Sequence, residues 1–157
     1  LTPRSLDTPS GTDPEADDAE THLGHLIREA SRAYTRALQA RISRHGVTIG
    51  QWFFLCALWE RDGMTQRELS QRVGMMEPTT VTALNGMERR GYITRVRNAD
   101  DRRKVNIFLT PRGRELRDVL EPHARELHRS ALSGMPPADA ASAVSAMRAV
   151  IANLSAD

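Results

Sequence analysis

Apolar residues recur at helical spacing from about His22 to His45, at Leu23, Leu26, Ile27, Ala30, Ala33, Tyr34, Leu38 and Ile42. This predicts a long amphipathic helix ending near Gly46. Thr48-Ile49-Gly50-Gln51 then has the form of a capping box, in which the threonine hydroxyl accepts from an early backbone N–H and the glutamine reaches back to the cap. The helix that follows carries Trp52, Phe53, Leu55, Cys56, Leu58 and Trp59. It is apolar on nearly every side, which places it at the buried centre, and Asp62-Gly63 breaks it. Thr65-Gln66-Arg67-Glu68 is a second capping box, opening a short helix with Leu69 and Val73 inside and Gly74 at its end. A further helix starts around Glu77-Pro78, where proline suits the first turn, and stops at Gly91. Two short helices across a tight glycine-containing turn predict a helix-turn-helix.

Beyond it, Tyr92-Ile93-Thr94-Arg95-Val96-Arg97 and Val105-Asn106-Ile107-Phe108-Leu109 alternate around a polar Asn98–Arg103 segment, which predicts a hairpin with a charged tip. Thr110-Pro111 caps another helix, with Leu116, Val119 and Leu120 on one side. The last helix starts beyond Pro136-Pro137 and carries Val144, Met147, Ile151 and Leu154. The fold class expected is mainly α with a small β-hairpin wing: a winged helix-turn-helix core flanked by dimerisation helices. Residues 1–20, rich in Pro, Ser, Thr, Asp and Gly, are expected to form a flexible acidic tail. Residues 21–46 form an N-terminal dimerisation helix, 47–110 the winged helix-turn-helix region and 111–157 the C-terminal dimerisation helices. Dimerisation is expected because the first and last helices each carry an apolar stripe around a core too small to cover both. A two-fold pair spaces its recognition helices about one turn of DNA, ~34 Å, apart.

The 157 residues include 39% hydrophobic and 27% charged positions, ordinary for a soluble domain, and no apolar run approaches the ~18 residues of a membrane span. With one cysteine, Cys56, no intramolecular disulfide can form, and a reducing cytoplasm is the expected location. The net charge of +2 is unevenly spread. Residues 1–21 carry Arg4 against Asp7, Asp13, Glu15, Asp17, Asp18 and Glu20, a net −5 that leaves +7 on the remainder, much of it between Arg89 and Lys104. A basic cluster inside a compact domain favours a polyanionic partner, although a solvated face gives the same composition.

The helix from Glu77 to Arg90 sharpens that choice. If Thr80, Ala83, Leu84 and Met87 face inward, the opposite side presents Pro78, Thr82, Asn85 and Arg89, with Thr79 at its flank. Small polar side chains let a helix lie close to base edges in a major groove, and Arg89, at the far end, suits a phosphate. Gln66 and Arg67, at the start of the preceding helix, belong to the same expected interface. Arg102, Arg103 and Lys104 stand at the hairpin tip, with Arg95 and Arg97 on the outgoing strand. An arginine-tipped wing suits the negative potential of a minor groove, and Asp101 can orient Arg103 by a charge-assisted hydrogen bond.

Leu69 to Gly74, Met87-Glu88-Arg89-Arg90-Gly91-Tyr92, Asp101-Arg102-Arg103 and Leu109-Thr110-Pro111-Arg112-Gly113 together resemble the multiple-antibiotic-resistance regulator (MarR) family. The resemblance runs from about His22 to the carboxyl terminus, and the wing motif is its most specific part. It implies a winged-helix dimer whose first and last helices intertwine and which binds a short palindromic operator in double-stranded DNA. It also implies that Arg103 is the wing arginine entering the minor groove, with Asp101 as its partner. Two departures stand out: Met76 where many members cap the recognition helix with Asp or Ser, and Thr82 where many carry Arg.

Regulators of this kind respond to a small ligand, and Trp52, Phe53 and Cys56 with His25, Arg28 or Arg32 are candidates to line its cleft. Aromatic rings beside a cation suit an aromatic carboxylate or its coenzyme A thioester, although the rings also fit a plain core. Repression relieved by such a ligand is the function expected. A redox- or metal-responsive regulator of the same fold, or a winged-helix protein-interaction module, are the alternatives. Cys56 lies on the most apolar helix with no basic residue on its own turn, which disfavours a reactive thiolate. His22 and His25 are three apart, His123 and His128 five apart, and none of the five histidines falls at zinc-finger spacing, so no metal or cofactor is expected. No glycine-rich phosphate loop or nucleophile–base pair is present in the sequence, so no enzymatic activity is expected.

Overall fold

The computed structural model describes residues 14–156. The described residues divide into two units, one up to Ala37 and one from Leu38 onward. Helix α1 (Pro14–Ile42) makes up the described part of the first and enters the second with its last residues, where Leu38 and Ile42 are fully buried. The start of α1 overlaps the expected tail. Residues 1–13 lie outside the described residues, and 14–20 are helical. Proline is preorganised for the first helical position, and the acidic run after it suits the positive end of the helix dipole.

In the second unit a single 3-10 turn, Ser43–His45, and Gly46 lead into α2 (Ile49–Glu60). Both halves of its capping box form: Gln51 N donates to Thr48 Oγ1 and Thr48 N to Gln51 Oε1, each at 3.2 Å. Helix α2 is the centre of the core, burying Trp52, Phe54, Leu55, Ala57 and Leu58, but Phe53 is exposed. Helix α3 (Gln66–Val73) opens on the second box, with Thr65 N donating to Glu68 Oε2 at 2.9 Å. That backbone N–H, with the Thr65 hydroxyl group next in effect, holds the Glu68 carboxyl below its ordinary range. Gly74 ends α3, and α4 (Glu77–Arg89) follows.

The angle between α3 and α4 is set by buried hydroxyls as well as by Leu69, Leu84 and Met87. Thr80 is fully buried, its hydroxyl lying 3.2 Å from Ser70 Oγ and 3.1 Å from Met76 O, while Ser70 Oγ donates to Met75 O at 2.7 Å. Satisfied hydroxyls fix a helix pair more specifically than apolar contact alone, because any shift leaves them unpaired.

Strands β1 (Ile93–Arg97) and β2 (Val105–Leu109) pair antiparallel, Ile93 opposite Leu109 and Arg97 opposite Val105. The connector between α2 and α3 zips onto β2: Ile107 N donates to Met64 O at 2.8 Å, Gly63 N to Ile107 O at 3.0 Å, and Leu109 N to Asp62 Oδ1 at 2.8 Å. The base of the wing is thus stitched to the segment that starts the helix-turn-helix.

Helix α5 (Pro111–Ala131) begins at a crowded junction. Thr110 caps it by accepting from Gly113 N at 3.0 Å, its own N–H donates to Tyr92 O at 3.0 Å, and its hydroxyl donates to Gly91 O. Trp59 Nε1 donates to Gly113 O at 3.0 Å, and the Arg112 guanidinium lies 5.4 Å from the Tyr92 ring centroid. A Cβ on Gly113 would meet Tyr92 O at 2.0 Å. A second close approach joins the α1–α2 corner to the end of α4, since a Cβ on Gly46 would meet Arg90 Nη1 at 2.2 Å. Helix α6 (Pro137–Leu154) has no buried residue, and Val144, Met147, Ile151 and Leu154 are exposed along it.

The Gly113 contact is testable. Gly113→Ala forces backbone apart at the junction and is expected to lower unfolding free energy by about 1–3 kcal/mol, as overpacked sites do. Urea denaturation measures it, and an unchanged midpoint contradicts the close approach.

Candidate functional site

The exposed side of α4 carries Pro78, Thr79, Thr82, Asn85 and Arg89, as the helical spacing required. Thr82 Oγ1 donates to Pro78 O at 3.1 Å, so its hydrogen is engaged while its oxygen can still accept. The helix starts at Met76 with no side-chain cap, in keeping with the departure noted in the sequence. Met76 (77% exposed) and Val81 (38%) add apolar surface that the polar reading of this helix overlooked. On α3, Arg67 is exposed and Gln66 half-buried.

The wing tip is an ordered polar turn. Asn98 N donates to Lys104 O and Lys104 N to Asp101 O, both at 2.9 Å. Asn98 Oδ1 accepts from Asp100 N at 2.9 Å and Asp101 N at 3.0 Å. Its amide donates to Asn106 Oδ1 at 2.9 Å, and the Asn106 amide donates to Gly63 O at 2.8 Å. Two asparagines therefore connect the tip to the start of the helix-turn-helix, and neither stood out in the sequence. An Asn eight residues before another across a predicted hairpin was the available signal.

Asp101 Oδ1 accepts from both Arg103 N and Arg103 Nε at 3.1 Å, and Oδ2 accepts from Arg103 Nη2 at 3.3 Å. The Arg103 guanidinium, and then its backbone N–H, hold the Asp101 carboxyl below its ordinary range. The arginine side chain is 91% exposed against 29% for the aspartate, so the pair displays the cation and tucks the anion behind it. Arg97, Arg102 and Lys104 are exposed alongside.

A cavity of about 390 Å³ opens between α2 and α5, bordered by Trp52, Cys56, Trp59, Arg117, Glu121 and Arg125 among others. Trp52 and Trp59 meet edge to face, ring centroids 5.7 Å apart. Arg117 Nε donates to Glu121 Oε1 at 2.8 Å. Of the residues expected to line a ligand cleft, Trp52 and Cys56 border this cavity. Phe53 is exposed on α2, and His25, Arg28 and Arg32 are exposed on the N-terminal unit, Arg32 paired with Glu29 at 3.1 Å. The polar row on α5 was missed because its spacing, Arg117, Glu121 and Arg125, reads as an ordinary solvated face. Burial, and then the nearby Glu60 and Glu121 carboxylates, push the Cys56 thiol up to about 12, with Arg117 opposing.

Three comparisons bear on this arrangement. The sequence profile of the MarR family matches residues 47–105. The chain is 32% identical to the HTH-type transcriptional regulator TtmR of Methylorubrum extorquens over 71% of its length, and spans 57% of that relative. It is 31% identical to the homoprotocatechuate degradative operon repressor of Escherichia coli, covering 65% of the chain and 67% of the repressor. It is 30% identical to the organic hydroperoxide resistance transcriptional regulator of Bacillus subtilis, covering 63% and 67%. Among solved structures, a MarR regulator of Methanosarcina mazei superposes with TM-score 0.80 at 26% identity, covering 85% of this chain and 96% of that one. The transcriptional regulator PA3341 does so with TM-score 0.76 at 34% identity, covering 86% and 99%. Bordetella bronchiseptica BpsR, whose DNA binding is regulated by 6-hydroxynicotinic acid, gives 0.76 at 26%, covering 82% and 98%.

The Cys56 environment yields a pH prediction. In the unfolded chain the thiol ionises near 9.0, but in the fold it holds its proton to about 12. Unfolding therefore releases a proton in that window, and stability falls as pH rises through it. The difference in urea midpoint between Cys56→Ala and the unmodified chain is expected to shift in favour of the variant above pH 9. A pH-independent difference contradicts the burial of the thiol.

Proposed function

From the chain's membership of the MarR family of DNA-binding transcriptional regulators, which are not enzymes, we propose that it is a repressor that holds a palindromic operator as a homodimer and releases it to a small aromatic carboxylate or its coenzyme A thioester. The observation that carries the DNA half is the wing tip, where Asp101 holds an almost fully exposed Arg103 in a fixed orientation. In this reading Arg103 enters the minor groove, with Arg97, Arg102 and Lys104 on phosphates. Thr79, Thr82 and Asn85 meet base edges, while Pro78, Gln66, Arg67 and Arg89 approach the backbone. The exposed apolar row of α6 supplies surface for a second copy.

The ligand half rests on the α2–α5 cavity. Tryptophan rings beside Arg125, with Arg117 already paired to Glu121, suit a flat ring carrying an anion, and about 390 Å³ accommodates a single-ring acid. The names of two relatives lead in the same direction, because homoprotocatechuate and 6-hydroxynicotinic acid are both aromatic carboxylates. A coenzyme A thioester would seat its acyl ring there and leave its nucleotide outside. Release requires only that the ligand bind the DNA-free geometry better than the DNA-bound one. The raised thiol of Cys56 argues against the redox alternative, since the thiolate is the nucleophile that attacks a peroxide.

A mobility-shift titration on DNA upstream of the chain's own gene tests both halves. Arg103→Ala is expected to weaken binding at least tenfold and reduce the salt slope by about 1, as loss of a phosphate-proximal charge does. Unchanged affinity and slope remove the wing from the interface. Single-ring aromatic acids added to the complex are expected to release the DNA, and Arg125→Ala to blunt that release without altering affinity for DNA. Release that Arg125→Ala leaves intact moves the ligand elsewhere.

A further inference from the structure

Two histidines that this reading leaves unused meet in the second unit. His45 closes the 3-10 turn after α1 and His123 lies on α5, yet their Nε2 atoms are 3.0 Å apart. The ring centroids are 5.0 Å apart, the planes are tilted by 41°, and both residues are half-buried. At that separation one Nε2 carries a hydrogen and donates it to the lone pair of the other, so the two rings hold opposite roles at the same atom. Two half-buried nitrogens facing one another across a corner of the fold also present the donor set of a borderline metal ion.

We propose that His45 and His123 form a two-imidazole site for a divalent transition metal of the Zn²⁺, Ni²⁺, Cu²⁺ class. Neutral imidazole is a preferred ligand for these ions, whereas Mg²⁺ and Ca²⁺ seek oxygen. With metal–nitrogen bonds of ~2.0–2.1 Å, two ligands lie roughly 2.9 Å apart at a right angle and roughly 3.4 Å apart at a tetrahedral one. The observed 3.0 Å falls inside that interval, so small side-chain rotations aim both lone pairs at one ion. Among the described residues no group of three His, Cys, Asp or Glu side chains surrounds a common point, so water or an outside donor completes the coordination. The hydrogen between the two rings moves to the Nδ1 of its own ring when the ion enters, so both imidazoles stay neutral, and in acid protons compete with the ion for the same two lone pairs and weaken the site. Once bound, the ion ties the α1–α2 corner to α5 and stabilises the fold by mass action.

The test uses the full chain, stripped with EDTA and dialysed, titrated with NiCl₂ and with ZnCl₂ by calorimetry and followed by thermal melting. One ion per chain and a raised Tm are expected, with affinity falling at least tenfold between pH 7.5 and 5.5. Both effects are expected to vanish in His45→Gln and in His123→Gln, and to persist in His22→Gln and His25→Gln. No binding by the unmodified chain, or undiminished binding in either of the first two variants, overturns the proposal. Should a variant fail to fold, the unmodified chain still decides: substoichiometric Ni²⁺ is expected to broaden the imidazole proton signals of two of the five histidines, His45 and His123, before the rest. Broadening that begins at the other three overturns it equally.

Discussion

The hydrogen bond from Thr110 N to Tyr92 O joins the residue just before the wing to the residue just after it. Around that bond the structure has almost no slack. The Thr110 hydroxyl reaches Gly91, its oxygen caps α5, Gly113 lies against the Tyr92 carbonyl, and the Trp59 indole holds Gly113 from the side of α2. One point therefore fixes where α4 ends, where both wing strands begin and finish, and where α5 starts. The Leu-Thr-Pro-Arg-Gly segment is explained by this crowding alone: leucine for the core, threonine for three hydrogen-bond roles, proline for a first turn, arginine over a ring, glycine for lack of room.

From that anchor, position is passed outward through polar groups. The connector between α2 and α3 pairs with β2, the Asn106 amide reaches back to Gly63, and Asn98 passes the constraint to Asp101 and so to Arg103. Every link is a directional hydrogen bond, so the tip is positioned relative to the helix-turn-helix and not merely tethered to it. The α3–α4 angle is handled likewise, by the Ser70 and Thr80 hydroxyls inside an otherwise apolar contact. Long-range placement in this domain rests on short polar side chains, asparagines and hydroxyls together with the carboxylates of Asp62 and Asp101.

Much of this was legible in the chain because its signals are local. Both capping boxes, the glycine that ends α3, the proline starts of α5 and α6, and the alternation of β1 and β2 each lie within a few residues and depend on backbone geometry. The outward set on α4 followed from helical period once Thr80, Leu84 and Met87 were placed inside. What the sequence concealed was non-local. His45 and His123 are 78 residues apart, and Asn106 finds Gly63 across 43, distances at which no periodicity speaks. Phe53 shows the limit of hydropathy, since an all-apolar helix still has an outer side. The helical start of α1 shows the converse, because residues poor in apolar anchors can still prefer a helix for electrostatic reasons.

The contact between Gly46 and Arg90 has a steric corollary. The guanidinium of Arg90 fills the volume a side chain at position 46 would claim, so the corner that follows α1 and the end of α4 meet there through a flexible side-chain tip. Arg90 is exposed and can swing aside, whereas the left-handed backbone of Gly46, φ 72°, strains any residue that carries a Cβ. A side chain introduced at position 46 is therefore opposed first by the backbone of the corner and only second by the cation beside it.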